Sequence, residues 1–167
     1  VDMTEMVRMF LDAMDTQQLS PQIKPVNTHE LLVEIVDQYQ LAAERKEIQL
    51  SIVAAPQQVM ADKRLLRQVI SNLVSNAIKF GPPDSQTHVE AERQGESVVI
   101  SVVDSGPGIA PDERGKLFNM FSKLSPRPTG GESSTGLGLW IVKQLTVLQK
   151  GSVGYDQPEA GGSRFWV

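Results

Sequence analysis

The sequence predicts an α/β protein: a two-layer sandwich in which a mixed, mostly antiparallel sheet is covered on one face by about three helices. Three observations point that way. Apolar residues recur with a helical period in several separate stretches, each with a polar far side, so the helices are one-sided. Between them lie short strand-like runs bounded by Gly and Pro. These elements alternate without a regular βαβ rhythm, which leaves a mixed sheet with its helices on one face.

Residues 1–19 carry Met3, Met6, Val7, Phe10, Leu11 and Met14 at helical spacing, a stripe that needs a partner. Ser20-Pro21 ends that helix, and residues 22–26 read as a short strand. Asn27 or Thr28 caps a second helix, with Glu30 and Glu34 early and Leu31, Leu32, Ile35, Val36 and Tyr39 recurring. Residues 48–53 read as a strand, followed beyond Pro56 by an extended piece around Val59. A third helix over residues 63–80 stops at Gly81-Pro82-Pro83. Strands over 88–93 and 97–104 form a hairpin around Gly95. Residues 119–135 are rich in Ser, Pro, Gly and Thr with little to bury, and a loop of that length in a compact domain is functional or mobile. A fourth helix runs from Gly136 to about Gln149, and strands near 152–155 and 164–167 follow.

A chain of 167 residues suits one domain with a proper core rather than two full ones. Its 40% hydrophobic and 22% charged content are those of a soluble globular protein. A net charge of −4 argues against a nucleic-acid partner but leaves a single nucleotide open, since a few placed groups hold one. With no cysteine, disulfides and thiolate metal sites are excluded. No apolar run approaches the ~20 residues that span a bilayer, and charges interrupt the first turns where a signal peptide would lie.

Chemistry concentrates in three places. On the third helix, Leu66, Val69, Ile70, Leu73 and Ala77 form an apolar stripe, and Gln68, Asn72, Asn76 and Lys79 form a polar stripe beside it. Asn72 and Asn76 are neighbours one turn apart, and Lys79 lies a turn beyond. Asparagine is a mediocre helix former, so the pair is either a polar edge making local hydrogen bonds or a ligand site. A neutral amide oxygen suits Mg²⁺, which keeps most of its waters, and a nearby lysine offers charge to phosphate.

The second place is Asp104-Ser105-Gly106-Pro107-Gly108. Val98, Ile100 and Val102 share a strand face with Asp104, so the apolar row delivers a carboxylate to the end of the core. A buried carboxylate must be paired, and as an acceptor it matches the amino group of adenine rather than the carbonyl of guanine. Gly106 and Gly108 permit a tight turn and close approach to a flat base; alone, the run fits an ordinary turn equally well. The third place is Gly136-Leu137-Gly138-Leu139, opening an amphipathic helix after the hydroxyls of Ser133, Ser134 and Thr135. Backbone N–H groups at such an N-terminus bind phosphate. Neither the P-loop pattern nor the protein-kinase Gly-rich set is present.

In order and spacing these three signals resemble the ATPase fold shared by gyrase, the ninety-kilodalton heat-shock chaperone, mismatch-repair ATPases and sensor histidine kinases. The resemblance runs from about Pro25 onward and is strongest to the histidine kinases. Asn72-Leu-Val-Ser-Asn76-Ala-Ile-Lys79-Phe80 is similar to their N box, Asp104 to Gly108 to the G1 box, and Gly136 to Leu139 to the G2 box. Lys116-Leu-Phe118-Asn-Met-Phe121 resembles the F box before a mobile ATP lid. The resemblance implies that Asn76 holds Mg²⁺ through its amide oxygen, with Asn72 beside it near metal and phosphates. It implies that Lys79 reaches the phosphates, that Phe80, Ile109 and Phe121 pack near the nucleotide, and that Asp104 reads adenine in a pocket lined by Gly106 and Gly108. Ser134, Thr135, Gly136, Leu137 and Gly138 would then cradle the phosphates of ATP. Lys123 stands where many relatives carry an arginine near the γ-phosphate. Hydrolytic relatives carry a glutamate base where this chain has Asn72, and a neutral amide cannot deprotonate water, which favours phosphotransfer. Gln149-Lys150-Gly151 replaces the frequent His-Gly-Gly, and Trp140 is bulkier than the common residue after the G2 box.

The family's acceptor histidine lies in a helical hairpin with a His-Glu/Asp-Leu-Arg-Thr-Pro context. Only His29 and His88 exist here, and His29-Glu30-Leu31 lacks the rest. Residues 1–20 therefore read as the end of a dimerisation helix and 21–167 as a cytoplasmic ATP-binding catalytic domain, its parent either membrane-anchored or soluble. The implied partners are the histidine-bearing helices of the parent and, through it, a response regulator, with no membrane contact by this domain. Two alternatives stand beside this: a nucleotide-binding module that signals without catalysis, and an ATP-hydrolysing or serine-phosphorylating relative.

Overall fold

The computed structural model of the chain describes residues 20–131 and 135–167. The helix expected over residues 1–19 and the hydroxyls of Ser133 and Ser134 lie outside the described residues. In chain order the elements are β1 (Lys24–Asn27), α1 (Thr28–Glu44), β2 (Gln49–Ala54), β3 (Gln58–Ala61), α2 (Lys63–Phe80), β4 (Gln86–Gln94) and β5 (Ser97–Asp104). A 3-10 turn at Arg114–Lys116, α3 (Gly138–Leu148), β6 (Gly154–Asp156) and β7 (Ser163–Trp166) follow. Among the described residues no helix is long and apolar enough to cross a membrane.

Capping chemistry sets the helix starts. Asn27 Oδ1 accepts from the N–H of His29 at 3.0 Å and of Glu30, while its Nδ2 donates to the Glu30 carboxylate at 2.9 Å. Asp62 does the same for α2, accepting from Arg64 N–H at 3.0 Å and Leu65 N–H at 3.3 Å. Gly81 and the prolines after it end α2 at Phe80, the bound expected from sequence. By contrast α3 begins at Gly138 rather than Gly136, because Gly136 has φ +69° and cannot join a right-handed helix. It ends at Leu148, two residues before Lys150 turns to φ +63°.

The main sheet has five strands in the order β2-β4-β5-β7-β6. Only β2–β4 is parallel; the β4–β5 hairpin, β5–β7 and β6–β7 are antiparallel. β1 and β3 form a separate antiparallel ribbon, which the sequence reading did not distinguish from the sheet. Each of those strands runs almost directly into a helix, so their antiparallel pairing places the starts of α1 and α2 at opposite ends of the ribbon, and Thr28 N–H donates to Gln57 O at 2.9 Å to close the edge.

The helices cover one face of the sheet. Leu31, Leu32 and Ile35 from α1, Val69, Ile70 and Leu73 from α2, and Ile141, Val142 and Leu145 from α3 are buried against Val89, Ile100 and Val102. Each such side chain contributes about 1.5–3 kcal/mol by leaving water. Helix α2 lies in the middle, touching both α1 and α3. The opposite face is polar, where Glu90 accepts from Ser101 Oγ at 3.0 Å and Arg164 pairs with Asp156 at 3.0 Å.

Strand register arranges the helix-facing residues in rows. Ile52, Val89, Val102 and Phe165 are successive neighbours across β2, β4, β5 and β7. The next row is Leu50, Thr87, Asp104 and Ser163, all buried. The apolar layer thus ends in three polar side chains beneath the end of α2.

Candidate nucleotide-binding site

A cavity of ≈ 340 Å³ opens between α2, the end of β5 and the start of α3. From α2 come Asn72, Asn76, Lys79 and Phe80; from the β5 end come Asp104, Gly108 and Ile109; from the segment before α3 come Lys123, Thr135 and Gly136, with Gly138 from α3 itself. Residues far apart in the chain therefore meet around one volume because α2 lies over the centre of the sheet and α3 packs beside it.

Asp104 is 8% exposed, and its Oδ1 accepts from Gly106 N–H at 2.7 Å. Burial pushes its carboxyl up to about 6, while the backbone N–H groups of Gly106 and Ser163 work the other way. A Cβ at position 106 would lie 2.6 Å from Oδ1, so a larger residue there would displace the carboxylate from its present position. Gly106 itself sits behind Asp104, while Gly108 and Ile109 reach the cavity wall.

The loop after Asp104 is held by side chains that the sequence reading missed. Ile109 N–H donates to Tyr155 Oη at 3.0 Å, and Ile109 C=O accepts from Arg114 Nε at 3.1 Å. The Arg114 guanidinium lies 5.5 Å from the Tyr155 ring centroid. No local pattern marks these residues, since the partners are 46 and 5 positions away and on different elements. Tyr39, Leu117, Ser163 and Phe165 also line the cavity without having been singled out. Only the pairing of Asp104 with Ser163 could have found the last two.

On α2, Asn72 is 9% exposed, and its Nδ2 has no hydrogen-bond partner among the described residues. Lys79 Nζ lies 5.9 Å from the Phe80 ring centroid. Gly138 faces Asn76 closely: a Cβ there would stand 3.7 Å from Asn76 Nδ2 and 3.8 Å from Oδ1. Gly136, at φ +69°, comes so near the backbone of residues 121–122 that a Cβ would meet Ser122 O at 2.6 Å. Leu137 is buried behind the cavity, its N–H bonded to Thr135 Oγ1 at 3.3 Å. Phe121 stays 57% exposed and is held at φ 58°. Ser134 lies outside the described residues.

Among the described residues no three His, Cys, Asp or Glu side chains gather to hold a metal. The oxygens near Gly138 are neutral amides, which fit a divalent cation that arrives with a polyphosphate and keeps phosphate and water oxygens as its other ligands. They do not fit a resident ion. The unpartnered Asn72 amide supplies a donor at the same place.

Residues 61–167 match the family model described as histidine kinase-, DNA gyrase B-, and HSP90-like ATPase. The chain is 34% identical over 172 residues to "Sensor histidine kinase CusS" of Escherichia coli strain K12, covering 99% of this chain and 35% of that protein. It therefore spans about a third of that relative's length. Among solved structures, full-length ShkA in complex with AMPPNP superposes with a TM-score of 0.84 at 29% identity, covering 97% of this chain and 34% of that one. The catalytic domain of histidine kinase ThkA superposes with a TM-score of 0.76 at 26% identity, covering 87% of this chain and 93% of that one. A shared fold, an ordered set of motifs around one cavity and a matching family model over most of the chain lead to one conclusion: the chain belongs to the histidine kinase-, DNA gyrase B- and HSP90-like ATPase family and is a catalytic ATPase domain of the sensor histidine kinase kind.

Proposed function

We propose that this domain binds Mg-ATP in the cavity between α2 and the segment before α3, and that its parent transfers the γ-phosphate to a histidine on dimerisation helices outside the described residues. The observation that carries this reading is the convergence of Asn76, Lys79, Asp104 and Gly138 on one cavity. The lining combines an acceptor for an amino group with an amide oxygen, a cation and a helix N-terminus. That ShkA, which shares the fold, was solved in complex with AMPPNP supports ATP as the ligand.

In this reading the Asp104 carboxylate accepts from the adenine amino group, and Phe80 and Ile109 lie against the base. Lys79 and Lys123 bring positive charge toward the phosphates, and the N–H groups of residues 136–138 bind them at the N-terminus of α3. Asn76 offers its amide oxygen to the cation, with Asn72 beside it near metal and phosphates; the cation's chemistry when bound is to neutralise charge on the phosphate oxygens. Asn72 cannot take a proton from water, so the site orients a phosphoryl donor rather than activating a hydrolytic nucleophile. Phosphoryl transfer asks mainly for positioning and electrostatics, which this residue set supplies. Residues 1–20 would be the end of the dimerisation helix, residues 21–167 the catalytic domain, and a response regulator the parent's downstream partner.

Incubation with γ-labelled ATP tests this. The chain alone should bind ATP without acid-labile self-labelling, because neither His29 nor His88 lines the cavity. Added to a separate hairpin from its own parent, it should label the hairpin histidine. Label on the isolated chain that is lost in His29→Ala, or no label on the hairpin, would refute the assignment.

A further inference from the structure

Thr87 is 0% exposed, and its Oγ1 has no hydrogen-bond partner among the described residues. It faces Asp104 directly across the β4–β5 ladder, on the side of the sheet turned toward the helices. A hydroxyl without a partner in an apolar setting is unfavourable, and valine has the same shape without that defect. The adjoining row follows the apolar rule: Val89 and Val102, next along the same two strands, are 0% and 1% exposed. A threonine therefore interrupts the apolar face at the position beside the Asp104 carboxylate.

That carboxylate has a need that Thr87 can meet. Gly106 N–H holds Oδ1 at 2.7 Å and the Ser163 backbone N–H also favours the charged form, but a carboxylate offers about four lone-pair sites, so it can accept a further donor. Ser163 flanks Asp104 from β7 and lines the cavity, so a second hydroxyl stands on the opposite side. A threonine hydroxyl has three staggered positions and a freely turning hydrogen, so it can aim a donor along the sheet toward its neighbour.

We propose that Thr87 is a specificity-determining positioning residue: its hydroxyl donates to the Asp104 carboxylate, directly or through one buried water, and holds that carboxylate toward the 6-amino group of the bound base. This rests on Asp104 being the acceptor for adenine. Thr87 does not touch the nucleotide; it acts by fixing the group that does. Its contribution is specific to ligands that present an amino group, which separates it from a general effect on packing.

The test is calorimetric titration of the parent chain, Thr87→Val and Thr87→Ser with ATP and with purine riboside triphosphate, which lacks the 6-amino group. Thr87→Val should bind ATP about five- to tenfold more weakly, the worth of one hydrogen bond, and bind the purine analogue within about twofold of the parent. The variant should stay folded, because valine keeps the shape of the buried side chain. Thr87→Ser should restore ATP affinity to within about twofold of the parent. Should Thr87→Val not fold, Thr87→Ala removes the same hydroxyl and is read instead. Undiminished ATP affinity in the valine variant overturns the proposal, and so does equal weakening toward both nucleotides, which would make Thr87 a packing residue. A parent chain that binds both nucleotides equally would refute the Asp104 reading itself, and is distinguishable because it needs no variant.

Discussion

Thr129 and Lys79 are 50 residues apart in sequence, and Thr129 N–H donates to the Lys79 carbonyl at 3.0 Å. The Thr129 hydroxyl donates to Gly81 O at 2.8 Å, and Lys46 Nζ donates to Thr129 Oγ1 at 2.9 Å and to the carbonyls of Ile78 and Lys79. The C-terminal carbonyls of α2 lack intrahelical donors, and a cation suits that end of the helix dipole. The segment proposed as a lid is thus pinned near its middle to the helix that carries Asn72, Asn76 and Lys79. Its composition offers little to bury, and the anchor is polar instead.

Hydrogen exchange should therefore be fast over residues 119–128 without nucleotide and slower with a non-hydrolysable ATP analogue. The Thr129 amide should exchange more slowly than its neighbours in both states. Lys46→Met should speed exchange at Thr129 by about tenfold, the worth of roughly one hydrogen bond. Uniformly fast exchange through residue 129 would show that the anchor is open in solution.

With Asp104 as the adenine acceptor, nucleotide binding should depend on pH. Its carboxyl titrates at about 6 in the nucleotide-free domain, above the ordinary 3.8, because burial disfavours the charge. An amino group donating to the carboxylate favours the charged form, so ATP binding should release a proton near pH 6 and tighten as pH rises through that value. Stability of the free domain runs the other way: the folded state holds this proton more tightly, so the Asp104 contribution falls by about 3 kcal/mol as pH rises from about 4 to about 6. Asp104→Asn should remove both dependences and weaken ATP binding by about 1–3 kcal/mol. Calorimetry in buffers of different ionisation enthalpy, between pH 5 and pH 8, reads the released proton, and none would count against the adenine contact.

Asn76→Ala should leave the domain folded, since the side chain lines the cavity rather than the core. It should lose most of the Mg²⁺-dependent gain in ATP affinity while the affinity without Mg²⁺ changes by no more than about twofold. Titrations with Mg²⁺ and with EDTA measure the two quantities. An undiminished magnesium effect in the variant would move the cation elsewhere.

Asp62 joins three parts of the fold. Beyond capping α2, it accepts from Gln22 N–H at 2.9 Å, and its own N–H donates to Gln149 Oε1 at 2.8 Å. Burial works to raise its carboxyl, but the N–H groups of Gln22, Leu65 and Arg64 and the Arg64 charge hold it below the ordinary range. A lowered carboxyl stabilises the fold above the unfolded value and loses that contribution as pH falls through its own. Asp62→Ala should cost about 1–2 kcal/mol at pH 7, with the gap to the parent narrowing on acidification. Urea unfolding at pH 7 and pH 3.5 gives both numbers, and a pH-independent gap would show that the carboxylate charge is irrelevant there.

Local chemistry made much of this protein legible. Gly81 and the prolines after it end α2 because a helix stop acts within a few residues, and the 95–96 turn joins β4 to β5 for the same reason. Asn76, Asp104 and Gly138 stood out because each breaks a local pattern: amides on a helix edge, a carboxylate on an apolar strand face, glycines before a helix. The structure decided what no window of sequence contains. Thr87 and Ser163 flank Asp104 only because β5 lies between β4 and β7, a strand order fixed by long-range pairing. Tyr155 and Arg114 bind the Ile109 backbone, and Lys46 with Thr129 closes the end of α2, through single polar contacts that leave no periodic trace. Hydrophobic period and capping act between near neighbours and can be read along the chain. A hydrogen bond between distant side chains exists only once the core has brought their elements together.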